Sequence, residues 1–221
     1  MKITILMLSG ALISSVSAAV VINPISVTAT GTIDFSADGF DRTIDGSGLS
    51  DSTLVETGDA LPGTYPTHEV GNNAGPAVQT VSGRYSSWAG QTVTYDLGAV
   101  YDLEDLVFWN YTEIYNGDDQ YRNRGLASAT LSFAGEDLVF GSDTAFNFAE
   151  ASAGSAPFNA EVLNITENGV RYIQFSNMTN HGGNRLGWSE VRFTGTAAVP
   201  EPSSAALIGL AGIGLALRRR R

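Results

Sequence analysis

The 221-residue chain has no cysteine, and its single lysine is Lys2. The first absence excludes disulfides, thiol nucleophiles, cysteine-bound zinc and thioether-attached haem. Stability must then come from core burial, with a bound metal ion as the one available staple. The second absence leaves arginine as the cation of the body. Between Val20 and Ala198 there are seven arginines and no lysine against twenty-two aspartates and glutamates, a net charge of −15 with histidine neutral. Such a surface repels nucleic acid, which needs clustered Lys and Arg, and it repels anionic lipid headgroups. It suits neutral polymers and divalent cations, and it keeps the protein soluble.

A sustained helical period of apolar residues is also missing. Apolar runs in the body are short, filled with β-branched and aromatic residues, and separated by Gly, Ser, Thr, Asn and Asp. That is an all-β pattern. Strands are expected at Ile25–Thr30, Thr92–Leu97, Leu103–Tyr111, Ala127–Phe133, Asp137–Phe140, Ala160–Ile165, Val170–Asn177 and Gly187–Gly195. Ala134-Gly135-Glu136 reads as the turn of a hairpin. Ser47–Gly90 reads as a long elaborated loop with short strands, and Ala145–Asn159 as loop. Eight or so strands imply a jelly-roll β-sandwich. No H-E-x-x-H, G-x-S-x-G, phosphate-binding loop or dinucleotide fingerprint occurs, and one sandwich of this length leaves no room for a second, catalytic domain. The protein is expected to be no enzyme.

Both ends of the chain read as addresses. Met1–Lys2 is a minimal basic segment, and Ile3–Val16 is apolar apart from Thr4, Ser9, Gly10, Ser14 and Ser15. Ser17-Ala18-Ala19 offers cleavage after Ala18 or Ala19. This is the pattern of a secretory signal peptide over residues 1–19. The body then spans 20–198 and a tail spans 199–221. The tail holds Pro200-Glu201-Pro202, an apolar run of thirteen residues from Ala205 to Leu217, and four arginines at 218–221. As a helix the run would cover about 20 Å, short of a ~30 Å hydrocarbon core unless flanking residues and arginine stems extend it. Cytoplasmic arginines would leave the body outside.

Those three parts, in that order, resemble a PEP-CTERM sorting signal. The resemblance implies a Gram-negative bacterium, export, transient anchoring in the inner membrane through a C-terminal transmembrane helix, and processing by an exosortase-type transpeptidase.

A second resemblance covers the body. Its pieces are Thr43-Ile44-Asp45-Gly46; Trp88 before Val93-Thr94-Tyr95-Asp96-Leu97-Gly98; Phe108-Trp109-Asn110-Tyr111 with Arg124-Gly125; and Val170-Arg171-Tyr172-Ile173 with Leu186-Gly187-Trp188-Ser189-Glu190-Val191-Arg192-Phe193. This ordered set resembles a discoidin-type, galactose-binding-like domain, the group that includes many carbohydrate-binding modules. The resemblance implies a structural calcium ion held jointly by the Asp-Gly loop and a carboxylate of the last strand. Asp45, Ser50, Asp51 and Glu190 could supply its oxygens, with backbone carbonyls between Ser47 and Thr53. The loop here is longer than the compact Asp-Gly-x-x-x-Thr usual in the family.

Sugar recognition needs an aromatic face and planar polar groups that pair with hydroxyls. The loop candidates are His68, Glu69, Tyr85, Glu113, Tyr115, Arg122, His181, Asn184 and Arg185. Trp88, Trp109 and Trp188 are assigned to the core, and Asn110 and Arg124 to bracing loops. The expected function is an exported, non-catalytic carbohydrate-binding or adhesive module. It would work with exopolysaccharide at the cell surface or in biofilm matrix. The alternatives are a structural matrix protein that meets other proteins without a sugar site, and a glycan-active enzyme.

Overall fold

The computed structural model describes residues 17–31, 33, 39–72, 83–114 and 120–198. The apolar stretch of the expected signal peptide and the expected C-terminal helix lie outside them. Ten strands form among the described residues: β1 Val20–Ile22, β2 Ser26–Ala29, β3 Gly71–Asn72, β4 Gly83–Tyr85, β5 Val93–Asn110, β6 Glu113–Ile114, β7 Leu126–Ala134, β8 Gly141–Asn147, β9 Glu161–Asn180 and β10 Leu186–Ala197. The helical pieces among the described residues are 3-10 turns at Gly39–Thr43, Ser52–Leu54 and Gln120–Arg124. No helix among the described residues is long and apolar enough to cross a membrane. The expected all-β jelly-roll sandwich is what the chain forms.

Two long strands make the sandwich. The main sheet runs β1-β10-β5-β9-β7-β8, with β2 also on β5 and β4 on β10, and every pairing in it is antiparallel. The start of β5 pairs with β2 and the later part of β9, whereas its end pairs with β10 and the start of β9. Trp188 pairs with Asn110 at the end of β5, yet its indole N–H donates to the Tyr95 hydroxyl at 2.8 Å. On a straight strand Tyr95 and Asn110 would lie about 50 Å apart. The sheet must therefore fold over on itself, and the register irregularities of β5 against β9 between Asp96 and Asp105 mark the bend.

The enclosed core is aromatic. Trp188 stacks on Phe175 with centroids 5.6 Å apart, and Phe40, Phe108, Phe148, Tyr95 and Phe193 complete the contacts. Side chains alternate along a strand, so β10 sends Val191 and Phe193 into this core. On the neighbouring strand β5, Val107 and Trp109 belong to a second cluster with Val21, Val55, Ala151 and Phe158. The segments 49–70 and 151–160 pack against this cluster.

Several boundaries differ from the sequence expectation. Thr92–Leu97 and Leu103–Tyr111 belong to one strand, as do Ala160–Ile165 and Val170–Asn177. Gly98 and Gly169 have φ of +81° and +70°, yet pairing resumes beyond each. Asp137–Phe140 is not a strand. Asp137 Oδ1 accepts from Val139 N at 3.2 Å and Leu138 has φ +57°, so these residues form the turn. The partner strand of β7 starts at Gly141 and takes the first part of Ala145–Asn159 with it.

Candidate functional site

A polar cluster forms at one end of the sandwich, where β5 ends and β10 begins. Glu113 on β6 is its centre, and it is 2% exposed. Its Oε2 accepts from Arg84 Nη1 and Arg124 Nη1, each at 2.8 Å, and from the Tyr111 hydroxyl. Arg84 Nη1 also donates to the Tyr111 oxygen at 2.6 Å. Burial, the largest influence, pushes the Tyr111 phenol up, so it stays protonated and donates to the carboxylate. The two guanidinium groups come from distant segments. Arg84 arrives on β4 opposite Gly187 of β10, and Arg124 ends the 3-10 turn Gln120–Arg124.

Arg124 carries the cluster outward. Its guanidinium lies 3.7 Å from the Tyr121 ring centroid, and its Nε donates to Asn184 Oδ1 at 3.1 Å. Asn184 is exposed and sits in the loop between β9 and β10. That loop is pinned from below. Asn180 Nδ2 donates to the carbonyls of Gly183 at 2.7 Å and Arg185 at 2.5 Å, and Gly183 N donates to Asn123 O at 3.0 Å. Asn110 pins the other side, with Nδ2 donating to Leu126 O at 2.8 Å and Ala149 O at 2.7 Å. The edge that remains offers the exposed Asn184 carboxamide beside a mostly buried guanidinium on an aromatic ring, and a carboxamide can pair with sugar hydroxyls.

Of the expected ligand residues, Glu113, Asn184 and Arg185 belong to this end, with His181 and Arg122 beside them. Arg122 Nη1 is 3.7 Å from Glu150 Oε2. Arg185 Nη1 donates to the Asn184 carbonyl at 2.9 Å. His181 N donates to Gly125 O at 3.3 Å, and its Nε2 is buried without a hydrogen-bond partner. Tyr115 lies outside the described residues. Tyr85 is a core residue, fully buried against Phe40, with its hydroxyl donating to Thr92 O at 3.0 Å. Trp109 and Trp188 are fully buried, and Trp88 packs against the core. Arg84 and Tyr121 were not singled out from the sequence. Their one signal is residue type, because their partners lie tens of residues away or arrive through a turn.

His68 and Glu69 sit elsewhere. His68 is fully buried, tilted against Phe158, with its Nδ1 at 2.7 Å from the Glu69 carbonyl. Nδ1 therefore carries the proton of the neutral ring. Burial, the largest influence, lowers the His68 pKa, and the Glu69 and Ser47 carbonyls and the Asp45 charge offset it only in part. Glu69 lines a shallow hollow of about 280 Å³ with Gly48, Leu49, Ser50, Thr67 and Pro157. None of the bonds of His68 or Glu69 reaches the Arg124 cluster.

The four residues expected to hold calcium are turned to other tasks. Asp51 caps the 3-10 turn Ser52–Leu54, accepting from Thr53 N at 3.0 Å and Thr53 Oγ1 at 2.6 Å. Ser50 Oγ accepts from Thr67 N at 3.1 Å, and Asp45 Oδ1 accepts from Ser47 N at 2.8 Å. Glu190 Oε2 accepts from Gly46 N at 3.2 Å, and Oε1 takes the Arg192 guanidinium. Among the described residues no three His, Cys, Asp or Glu side chains are grouped to hold a metal ion. The residues present do not fit a calcium ion at Glu190.

Beyond the body, residues 198–221 match the family described as the PEP-CTERM protein-sorting motif. The tail is a PEP-CTERM sorting motif. It marks the protein as exported and targeted to the envelope, and the PEP-CTERM tail implies exosortase processing. No curated protein matches the chain in sequence.

The body is similar to several solved structures. One is a truncated AlyQ with CBM32 and alginate lyase domains, with TM-score 0.49 and 15% identity over 82% of this chain. This chain spans 34% of that one's length. Another is the lectin domain of lectinolysin complexed with Lewis B antigen, with TM-score 0.46, 15% identity, and coverage of 76% and 90% of the two chains. A third is CpGH89CBM32-5 from Clostridium perfringens in complex with GalNAc-beta-1,3-galactose, with TM-score 0.47, 12% identity, and coverage of 76% and 93%.

Proposed function

We propose that this PEP-CTERM protein is a non-catalytic carbohydrate-binding or adhesive module that associates with exopolysaccharide outside a Gram-negative cell. The observation that carries this reading is the position of the Arg124–Asn184 edge relative to Ala198, the last described residue before the tail. Ala198 N donates to Val100 O at 3.0 Å, so the chain leaves the sandwich where β5 bends. The Asn184–Arg185 loop enters β10 at Leu186, twelve residues earlier along a single strand ending at Ala197. At about 3.4 Å per residue that strand separates the two features by roughly 40 Å. In this reading, with the tail at the membrane, an edge that far from Ala198 is free to meet polymer outside the cell.

The chemistry of the edge supports binding rather than reaction. Glu113 is buried with its Oε2 held by two arginines and a phenol, so that oxygen serves to tie the cluster together. The strong net negative charge keeps the body off lipid and nucleic acid and leaves neutral hydroxyl-rich polymer as the compatible partner. The test is co-sedimentation of the purified protein with exopolysaccharide from the producing strain. Retention by wild type and loss in Asn184→Ala support the reading. Equal retention of both, or none of either, overturns it in favour of a matrix protein that meets other proteins.

A further inference from the structure

The Asp45–Gly46 loop and the last-strand carboxylate meet, but the group between them is a guanidinium. Arg192 follows Glu190 by two residues on β10, so both side chains leave the same face of the strand. On that face Arg192 reaches Val55, a member of the second apolar cluster. Arg192 is 1% exposed and Glu190 is fully buried. Arg192 Nη1 donates to Glu190 Oε1 and, at 2.8 Å, to the Val191 carbonyl. Its Nε donates to the Val55 carbonyl at 3.0 Å. Gly46 has φ +74°, and a Cβ there would lie 2.9 Å from Ser52 Cβ and 3.6 Å from Arg192 Nη2. Loop backbone therefore closes around the guanidinium from Gly46 to Val55.

Carboxylate and carbonyl oxygens converging on one positive centre form the donor set of a hard cation. A guanidinium uses the same oxygens through fixed N–H donors, and it brings its charge with the chain. Both oxygens of Glu190 are already used, one by Arg192 and one by Gly46 N–H. A divalent ion at the same carboxylate would face the arginine's like charge at contact distance. Burial, the largest influence, pushes the Glu190 carboxyl up to about 8, with nearby Asp45 adding to it and Arg192 and Gly46 N–H opposing. Arg192 works against the burial that raises this carboxyl and so favours its charged form.

We propose that Arg192 is the built-in cation of this fold. It neutralises Glu190 and ties the Gly46–Val55 loop to the last strand, so the native structure does not depend on calcium. The sandwich then keeps its loops where divalent ions are scarce.

The first measurement is the melting temperature of the wild-type protein in chelator and in millimolar calcium. The two values should agree within about 1 °C, because an ion bound only by the native state would raise the melting point by linkage. A drop in chelator or a rise in calcium overturns the proposal. The second measurement is a mutant cycle. Arg192→Met should lower the melting temperature by several degrees, and adding Glu190→Gln should recover part of the loss, because the buried charge left alone is removed. A Met variant that melts as wild type, or strictly additive losses, overturns it. If Arg192→Met does not fold, the chelator comparison on wild type decides alone.

Discussion

Arg124 Nε donates to Asn184 Oδ1 at 3.1 Å across sixty residues of sequence. Together with Gly183 N donating to Asn123 O, this bond joins the Gln120–Arg124 turn to the β9–β10 loop, and it defines the exposed edge of the polar cluster. Gly183 sits beneath it. A Cβ there would come within 2.9 Å of the Arg124 backbone nitrogen, the Arg124 Cγ and the Asn123 carbonyl carbon. Two of those atoms are backbone and cannot swing aside. Gly183→Ala should therefore push the loop off the turn. The expected outcome is at least a tenfold loss of polysaccharide affinity, about 1.4 kcal/mol, with the β signature of the circular dichroism spectrum intact. Unchanged affinity would detach the edge from binding.

Glu113 holds the guanidinium groups of both Arg84 and Arg124 through one oxygen. Glu113→Gln keeps the shape and removes the charge. Breaking a buried pair by deleting one partner typically costs about 3–5 kcal/mol, and here two cations lose their anion. Urea unfolding should show a loss of about 3 kcal/mol or more, with an unchanged slope. A loss below about 1 kcal/mol would mean that the carboxylate is not the organising charge of this end.

His68 gives the protein an acid limit. Its folded pKa is depressed below the ordinary 6.5 by burial. The unfolded chain therefore binds a proton more readily than the folded one once the pH falls below about 6.5. The contribution of this group to stability is complete above that pH and is lost as the pH falls toward the depressed folded value. Melting temperature should decline from pH 6.5 downward, and His68→Gln should flatten the decline over its first unit. A variant that tracks wild type point for point would place the acid sensitivity elsewhere.

Gly195 is a position where the sandwich tolerates no side chain. A Cβ would lie 2.2 Å from the Asp102 carbonyl oxygen and 3.0 Å from Leu103 Cα. Both atoms are backbone of the partner strand, and the pairing already shifts register between Thr194 and Gly195. Gly195→Ala must separate β10 from β5 near the tail. We expect loss of soluble expression, or a fall in melting temperature larger than that of Glu113→Gln. Wild-type melting would contradict the register described above.

The fold class was legible because short β-branched and aromatic runs leave no helical alternative, and the burial of Trp109 and Trp188 followed from their strands. The long bent strands were not. Gly98 and Asn168-Gly169 look like ends of strands, and only pairing with β9 and Asp102 shows that the chain continues through them. Gly169 N donates to Asp102 Oδ1 at 2.9 Å, a bond that spans 67 residues. The candidate site was half legible. His181, Asn184 and Arg185 stood out as polar residues in a Gly-rich loop. Their platform, Arg84, Tyr111 with Glu113, and Arg124, comes from three segments that meet only in the folded chain. His68 resembled a surface ligand because its neighbours in sequence are polar, but Gly48 and Phe158 close over it. Arg192 was not singled out, because the second apolar cluster, which makes that face an interior, is built from distant residues.

The central claim is that the Arg124–Asn184 edge binds polysaccharide, and calorimetric titration of exopolysaccharide fragments tests it most directly. The account predicts saturable binding by the wild-type protein, and at least tenfold weaker binding by Asn184→Ala at an unchanged melting temperature. Asn184 is exposed, so its truncation should leave the fold alone. Identical isotherms for the two proteins, or no binding of any fragment by wild type, would contradict it.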